Sequence, residues 1–206
     1  MASTSRKENQ PIYILHSYPF KETSLIVEIL SKDFGRIALV AKGARRPKSS
    51  LRGMLLPFQS LHATWSGLQD LKTLHNVDWS NAFLAIEGDA LVCGFYLNEL
   101  IMRLVPKDDP YPRLYDFYHK TILALTTNKS LNMILRRFEL RLLQEIGYEV
   151  PLKNDIQGSI IDPKKQYFYH AGSGASDDKQ FSNQLVISGK TLIDMADDNY
   201  ESKETE

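Results

Sequence analysis

Six cationic side chains, Arg36, Lys42, Arg45, Arg46, Lys48 and Arg52, fall within one stretch that holds no Asp or Glu. Such a cluster repels itself unless an anion lies against it. Phosphate suits these side chains best, Arg through its planar fork and Lys as a point charge. Gly43, Pro47, Ser49, Ser50 and Gly53 are interspersed, which predicts a mobile linker with backbone N–H groups open to a ligand. Two readings fit: a solvated basic loop, and a loop that closes over phosphates. The neighbouring aromatics Tyr18, Phe20, Phe34, Phe58 and Trp65 offer either ring faces for stacking bases or the core of a small barrel.

Other chemistry is not spelled out. The five histidines, His16, His62, His75, His119 and His170, are scattered, with no HxxxH or HExxH spacing. Gly189-Lys-Thr191 matches the end of a phosphate-binding loop, but the first glycine of that motif would fall at Gln184. No GxSxG or GxGxxG occurs, and Asp108-Asp109 reads as a helix-entry pair rather than a metal site. The single cysteine, Cys93, lies on an apolar stripe and reads as a core thiol; alone, it forms neither an internal disulfide nor a CxxC zinc pair. No catalytic residue, metal ligand or cofactor is therefore assigned, and a non-enzyme is expected.

The elements that position the basic stretch are short strands. Pro11–His16, Ser24–Ser31, Arg36–Lys42, Ser60–Ser66 and Leu71–Val77 are rich in β-branched and aromatic residues, with Pro19, Gly35 and Gly67 at the breaks. In the second run Leu25, Val27 and Ile29 share one face and Ile26 and Leu30 the other, so it is expected to be buried on much of both. Five such strands in so short a segment are predicted to curl into a barrel, preceded by a polar leader, Met1–Gln10.

From Asn81 the period changes. Phe83, Ile86, Ala90, Cys93, Leu97, Leu100, Ile101 and Leu104 recur at three and four, predicting a long helix stopped by Pro106. Further helices are predicted over about Pro110–Thr126 and Ser130–Ile146, the latter closed by Gly147 and Pro151, and the three are expected to share a second core. Arg136, Arg137 and Arg141 lie on the last of them, beside Glu139 and Glu145. Beyond Pro151, short apolar runs at Ser159–Ile161, Gln166–His170 and Gln184–Ile187 predict a small hairpin. The end, Asp194–Glu206, has six acids against Lys203 alone and is expected to be disordered.

Charge follows the same division. Residues 1–80 hold 11 Lys+Arg and 6 Asp+Glu, net +5, which leaves 14 and 19, net −5, for residues 81–206. The fold class is therefore read as α+β: an N-terminal five-stranded barrel over 1–80, followed by a mainly helical domain over 81–206. Opposite signs in the two halves point the basic half toward a polyanion. No apolar run approaches the ~18 residues of a membrane span and no basic-then-apolar leader is present, so a cytoplasmic location is expected.

Four separated segments carry a resemblance: Ile14-Leu-His-Ser-Tyr-Pro-Phe-Lys-Glu-Thr-Ser-Leu25, Gly35-Arg with Leu39-Val-Ala-Lys-Gly-Ala-Arg45, Leu97-Asn-Glu-Leu100, and Leu135-Arg-Arg-Phe-Glu-Leu140 with Gly147-Tyr148. In this order they resemble the RecO family of bacterial DNA repair and recombination mediator proteins. The resemblance implies an OB-fold joined to a helical domain, no nucleotide hydrolysis, and a nucleoid-associated place in the cytoplasm. It implies binding to single- and double-stranded DNA, annealing of complementary strands, and, with RecR, loading of RecA onto strands coated by single-strand binding protein. Arg36, Lys42, Arg45, Arg46, Lys48 and Arg52 are the expected phosphate contacts. Neutralising about four to six phosphates on a single strand predicts a slope of log K against log salt of about −3 to −4. Arg136 and Arg137 are the candidates for holding the acidic, apolar-ended tail of single-strand binding protein. Many members carry cysteine pairs for zinc, which this chain lacks, so no metal is expected; members also usually continue with further helices where this chain ends, so a shortened second domain is expected. An RNA-binding OB module is the alternative.

Overall fold

The computed structural model describes residues 6–127, 129–148, 150–170, 172–178 and 185–200. Five strands close a barrel in the order β1-β2-β3-β5-β4: β1 is Arg6–Phe20, β2 Ser24–Ser31, β3 Gly35–Ala41, β4 Leu61–Ser66 and β5 Leu71–Trp79. Every contact in it is antiparallel except β3 with β5, which run parallel from the Ala38 to Leu71 pair to the Val40 to Thr73 pair. That order and the single parallel contact are those of an OB barrel. β1 is long because it closes the barrel: Arg6–Ile12 pairs with β4, and Ile12–Phe20 with β2.

The predicted polar leader is thus corrected from Arg6 onward. Arg6–Gln10 has few apolar side chains, but pairing with β4 needs only backbone groups, and a register shift between Lys7 and Gln10 absorbs the irregularity. Asn9 takes the left-handed φ of 50° there, and its N–H donates to Thr64 Oγ1 at 3.2 Å. Residues 1–5 lie outside the described residues.

The barrel core holds Ile12, Ile14, Val27, Ile29, Ile37, Leu39, Leu61, Trp65, Leu74 and Val77, all buried. β2 is buried on both faces, as its composition predicts, and its outward Glu28 is met by Lys107 and Arg36. Helix α1 (Gly88–Leu104) and helix α2 (Pro112–Ala124) meet β1. Tyr13 alternates with Ile12 and Ile14 and so points outward, where its ring meets those of Tyr115 at 5.7 Å and Tyr118 at 5.0 Å. Its hydroxyl bonds His119 Nδ1 at 2.5 Å. Buried Asn98 of α1 donates to Leu15 O at 2.9 Å and accepts from Tyr118 Oη at 2.5 Å, so one amide joins β1, α1 and α2. Burial pushes the Tyr13 hydroxyl up to about 12 and raises Tyr115 and Tyr118 as well.

Helix α1 begins later than its apolar stripe suggests. Residues 81–87 are not helical, and Gln59 instead satisfies both backbone groups of Leu84: Nε2 donates to Leu84 O at 2.9 Å and Oε1 accepts from Leu84 N at 3.0 Å. Phe83 and Ile86 therefore fall outside the helix, and the buried row is Gly94, Leu97, Asn98 and Ile101. Gly94 is needed there, since a Cβ would stand 3.0 Å from the Phe58 ring. Cys93 is half-buried beside that row rather than in it.

The chain divides by compactness after Lys129, so α1 and α2 belong with the barrel and helix α3 (Leu131–Glu145) with the remainder. Ser130 caps α3 by accepting from Met133 N, and Gly147, at φ 88°, ends it. In this second unit β6 (Gln166–His170) pairs with both β7 (Gly174–Ser176) and β8 (Leu185–Ser188), a three-stranded sheet where a hairpin is predicted. Its core is Leu152, Ile161, Tyr167, Ala175 and Leu192.

Helix α4 (Gly189–Ala196) corrects the expected disorder of the acidic end as far as Tyr200. Ser188 caps it through Thr191 N at 3.0 Å, Leu192 is buried in the core, and Tyr200 is buried too. Two apolar anchors and a cap outweigh the local acidity; Glu201–Glu206 lie outside the described residues. Gly189 serves packing, not phosphate binding, because a Cβ there would come within 2.0 Å of Asp162 O. Among the described residues no helix is long and apolar enough to cross a membrane.

Candidate nucleic-acid interface

Since β3 and β5 are parallel, both finish at the end of the barrel that the Lys42–Ser60 linker crosses. The linker is not the mobile loop its glycines and serines predict. Ala44 and Leu55 are buried, and Leu51 and Met54 pack on the barrel core. Arg45 N donates to Thr23 O at 2.9 Å, Arg46 N to Gly43 O at 3.1 Å and Ser49 N to Arg46 O at 3.0 Å, so several backbone N–H groups expected to be open are already used. Apolar residues alternating with the cations act as anchors, and a 3₁₀ turn at Ser50–Gly53 completes the cap.

Between this linker and β5 lies a cleft of about 510 Å³. Lys42, Arg46 and Lys48 line it together with Ser49 and Ser50, and no Asp or Glu takes part. All three cationic side chains are exposed. Gly43, at φ 70°, turns the chain so that the Arg46 guanidinium folds back to within 3.5 Å of a Cβ position at Gly43. The far wall is His75 and Asn76 of β5. A register shift sets them there: Thr64 pairs with Asn76 and Trp65 with Leu74, which leaves His75 as the extra residue of a bulge. His75 Nε2 is bonded to Ser66 Oγ at 2.7 Å. Asn76 Nδ2 donates to Asp78 Oδ2 at 2.5 Å, so that amide is used and a carboxylate stands beside the far wall, which leaves three positive charges and two hydroxyls as the groups able to meet phosphates.

The six predicted cations do not act as one set. Lys42, Arg46 and Lys48 meet in the cleft. Arg45 is exposed beside it, with its guanidinium 3.4 Å from the carbonyls of Lys21 and Glu22 in the β1–β2 turn. Arg52 is exposed at the end of the 3₁₀ turn. Arg36 stands at the opposite end of β3, where Nε donates to Val105 O at 3.0 Å and the guanidinium lies 3.6 Å from Glu28. Proximity in sequence misleads here because a strand of seven residues separates its ends by about 20 Å.

In the second unit, Arg136 pairs with Glu139 one turn on. Arg137 Nε donates to Asp198 Oδ1 at 2.6 Å and its guanidinium lies over the Tyr200 ring at 5.9 Å. Of the aromatics considered for stacking, Trp65 and Phe58 are buried in the core. Phe34 packs edge-on against Trp65, Phe20 lies under Lys21, and Tyr18 is 41% exposed beside His16. The sequence reading placed His75 and Asn76 in a strand and gave neither a part in the site. Their signal lay in the strand pairing, since only a β5 beside β3 brings them to Lys42.

The barrel order defines a protein of the OB-fold class, with a cationic cleft at its capped end. The chain matches the family models "Recombination protein O N terminal" over residues 6–83 and "Recombination protein O C terminal" over 87–202. It is 48% identical to the DNA repair protein RecO of Nitrosospira multiformis, over 95% of this chain and 82% of that one. It is 43% identical to the same-named protein of Burkholderia pseudomallei, over 98% and 74%, and 44% identical to that of Aromatoleum aromaticum, over 100% and 86%. The chain belongs to the RecO family of DNA repair proteins.

Proposed function

We propose that this chain is a non-catalytic recombination mediator that binds single- and double-stranded DNA through the Lys42–Arg46–Lys48 cleft and anneals complementary strands. The observation that carries this reading is the cleft lined by three cations and no acid. Neutralising phosphates on one strand lowers its repulsion for the complement while the bases stay free to pair, and that requires no nucleotide hydrolysis. Arg45 and Arg52 extend the positive surface, and Arg36 is assigned to the fold. With RecR the protein helps load RecA onto strands coated by single-strand binding protein, in the cytoplasm at the nucleoid. The acidic tail of single-strand binding protein docks at Arg136 and Arg137, where it competes with Asp198 for the Arg137 guanidinium.

The test is annealing of complementary labelled oligonucleotides, with and without ATP. The expected result is ATP-independent annealing that falls at least about ten-fold when three phosphate contacts are removed in Lys42→Ala/Arg46→Ala/Lys48→Ala. A strong preference for RNA with no annealing would instead support an RNA-binding module.

A further inference from the structure

The outer face of the barrel carries a row of residues that runs up to the cationic cleft. Tyr18 of β1 pairs with Ile26 of β2, Ile26 with Val40 of β3, and Val40 with Thr73 of β5. Paired residues of neighbouring strands share a face, while Val27, Leu39 and Leu74, each next in sequence to a member of the row, belong to the barrel core. The row therefore points outward. Tyr18 is 41% exposed and the other three are half-buried, so the row meets solvent along its length. Lys42 lies two residues beyond Val40 and His75 two beyond Thr73, and these residues line the two walls of the cleft. The cleft thus opens at the end of the row, about 7 Å further along the strands.

A second tie joins this face to the linker. Arg45 N donates to Thr23 O at 2.9 Å, and the Arg45 guanidinium is 3.4 Å from the carbonyls of Lys21 and Glu22. Phe20, paired with Ser24 on the same outer face as Tyr18, stands where that turn meets the linker, with Lys21 Nζ 5.3 Å from its ring centre.

We infer that Tyr18 and Phe20 form the stacking surface for the nucleobases of single-stranded DNA whose phosphates lie in the Lys42–Arg46–Lys48 cleft. Val40 and Tyr18 are two strand spacings apart, about 10 Å, so a strand held in the cleft reaches the rings within about two nucleotides. Charge beside the rings suits that path. Lys21 and Arg45 flank Phe20, Glu22 is exposed in the same turn, and Glu28, opposite His16, is buried with Lys107 at 2.9 Å and Arg36 at 3.6 Å. A base needs an apolar wall rather than a cation. Tyr18 also lines, with Phe95 of α1, a groove of about 470 Å³ whose cation Arg103 is already paired with Glu99 at 2.6 Å. The ring is held in advance by the strand and by His16, 4.4 Å away between ring centres, so stacking costs little entropy. By contrast, the cleft beside Phe34 and Trp65, at the other end of the barrel, sets Asp33, Asp70 and Asp108 against Lys7 and Lys72 and repels a phosphate chain. This inference rests on the DNA-binding reading of the Lys42–Arg46–Lys48 cleft, and its test separates the two.

The full chain is titrated with labelled oligothymidylate and with an abasic oligomer of equal length, which keeps the phosphates and lacks the bases. The wild type is expected to bind oligothymidylate about ten-fold more tightly, as one or two stacked bases would give. In Tyr18→Leu/Phe20→Leu the two oligomers are expected to bind alike, with abasic affinity unchanged. Tyr18→Phe keeps a ring and is expected to retain the preference. Tyr18→Leu, which alters one exposed side chain, is expected to reduce it to about three-fold and carries the test if the double variant does not fold. A wild type without the preference, or a variant folded by circular dichroism that keeps it without the rings, would overturn the stacking surface and leave the phosphate cleft standing. Equal loss of both oligomers in the double variant would also overturn it. Failure of the wild type to bind either oligomer would overturn both.

Discussion

Arg36 lies at the head of the basic stretch, yet its replacement by alanine should cost stability and spare DNA binding. Glu28 is buried on β2, with its side chain 9% exposed, and two cations serve it: Lys107 Nζ at 2.9 Å from Oε1 and the Arg36 guanidinium at 3.6 Å from Oε2. Arg36 is itself only 13% exposed and supplies the donor to Val105 O. Removing its side chain leaves that carbonyl unpaired, at about 1–3 kcal/mol, and leaves Glu28 with Lys107 alone. Breaking a buried pair outright costs about 3–5 kcal/mol, but Lys107 remains and the Arg36 contact is long, so the sum settles near 3 kcal/mol. For a unit of this size that lowers Tm by roughly 10 °C. Thermal unfolding followed by circular dichroism reads the stability, and fluorescence anisotropy with a labelled single strand at about 20 °C reads binding while the variant is folded. Affinity should stay within about two-fold, because Arg36 is outside the cleft. An Arg36→Ala variant with unchanged Tm and about ten-fold weaker binding would refute the separation of Arg36 from the phosphate site.

Two further outcomes follow from the buried network between β1 and the helices. Asn98→Ala removes the donor to Leu15 O and the acceptor of Tyr118 Oη at once, and should destabilise the barrel unit by about 2–4 kcal/mol in urea unfolding, with little change in DNA affinity. Tyr13 is held near 12 in the folded protein against about 10 when unfolded, so the folded state keeps a proton that the unfolded state gives up. That contribution is complete below pH ~10 and is lost as pH rises toward 12, about 2–3 kcal/mol from Tyr13 alone, with Tyr115 and Tyr118 acting in the same direction. Ultraviolet absorbance should show these tyrosines ionising together with unfolding rather than before it.

The barrel was legible because its information is local. β2 is read at its observed bounds from composition and turns, and Gly35 and Gly147 mark breaks that need a left-handed φ. The first part of β1 was not legible, since Arg6–Gln10 enters the sheet through backbone groups alone. Helix α1 was read too long because Phe83 and Ile86 continue its period, while Gln59, whose side chain bonds the segment before it, lies 25 residues away from Leu84. At the site, the sequence supplied the cations and the absence of acids. It could not supply the selection among them, because that depends on the direction of β3, the burial of Ala44 and Leu55, and the bulge that turns His75 and Asn76 toward the linker. Burial of Trp65 and exposure of Trp79 likewise depend on place in the closed barrel, since Trp79 ends β5 opposite Leu61 while Trp65 sits within the core.

The salt dependence of single-strand binding addresses the cleft most directly. Five contacts, Lys42, Arg46 and Lys48 with Arg45 and Arg52 beside them, give a slope of log K against log salt of about −3.5, which weakens binding roughly 100-fold between 50 and 200 mM salt. Lys42→Ala/Arg46→Ala/Lys48→Ala should retain about two contacts and a slope near −1.4. A folded triple variant with the wild-type slope would contradict the account and place the phosphate-binding surface elsewhere on the protein.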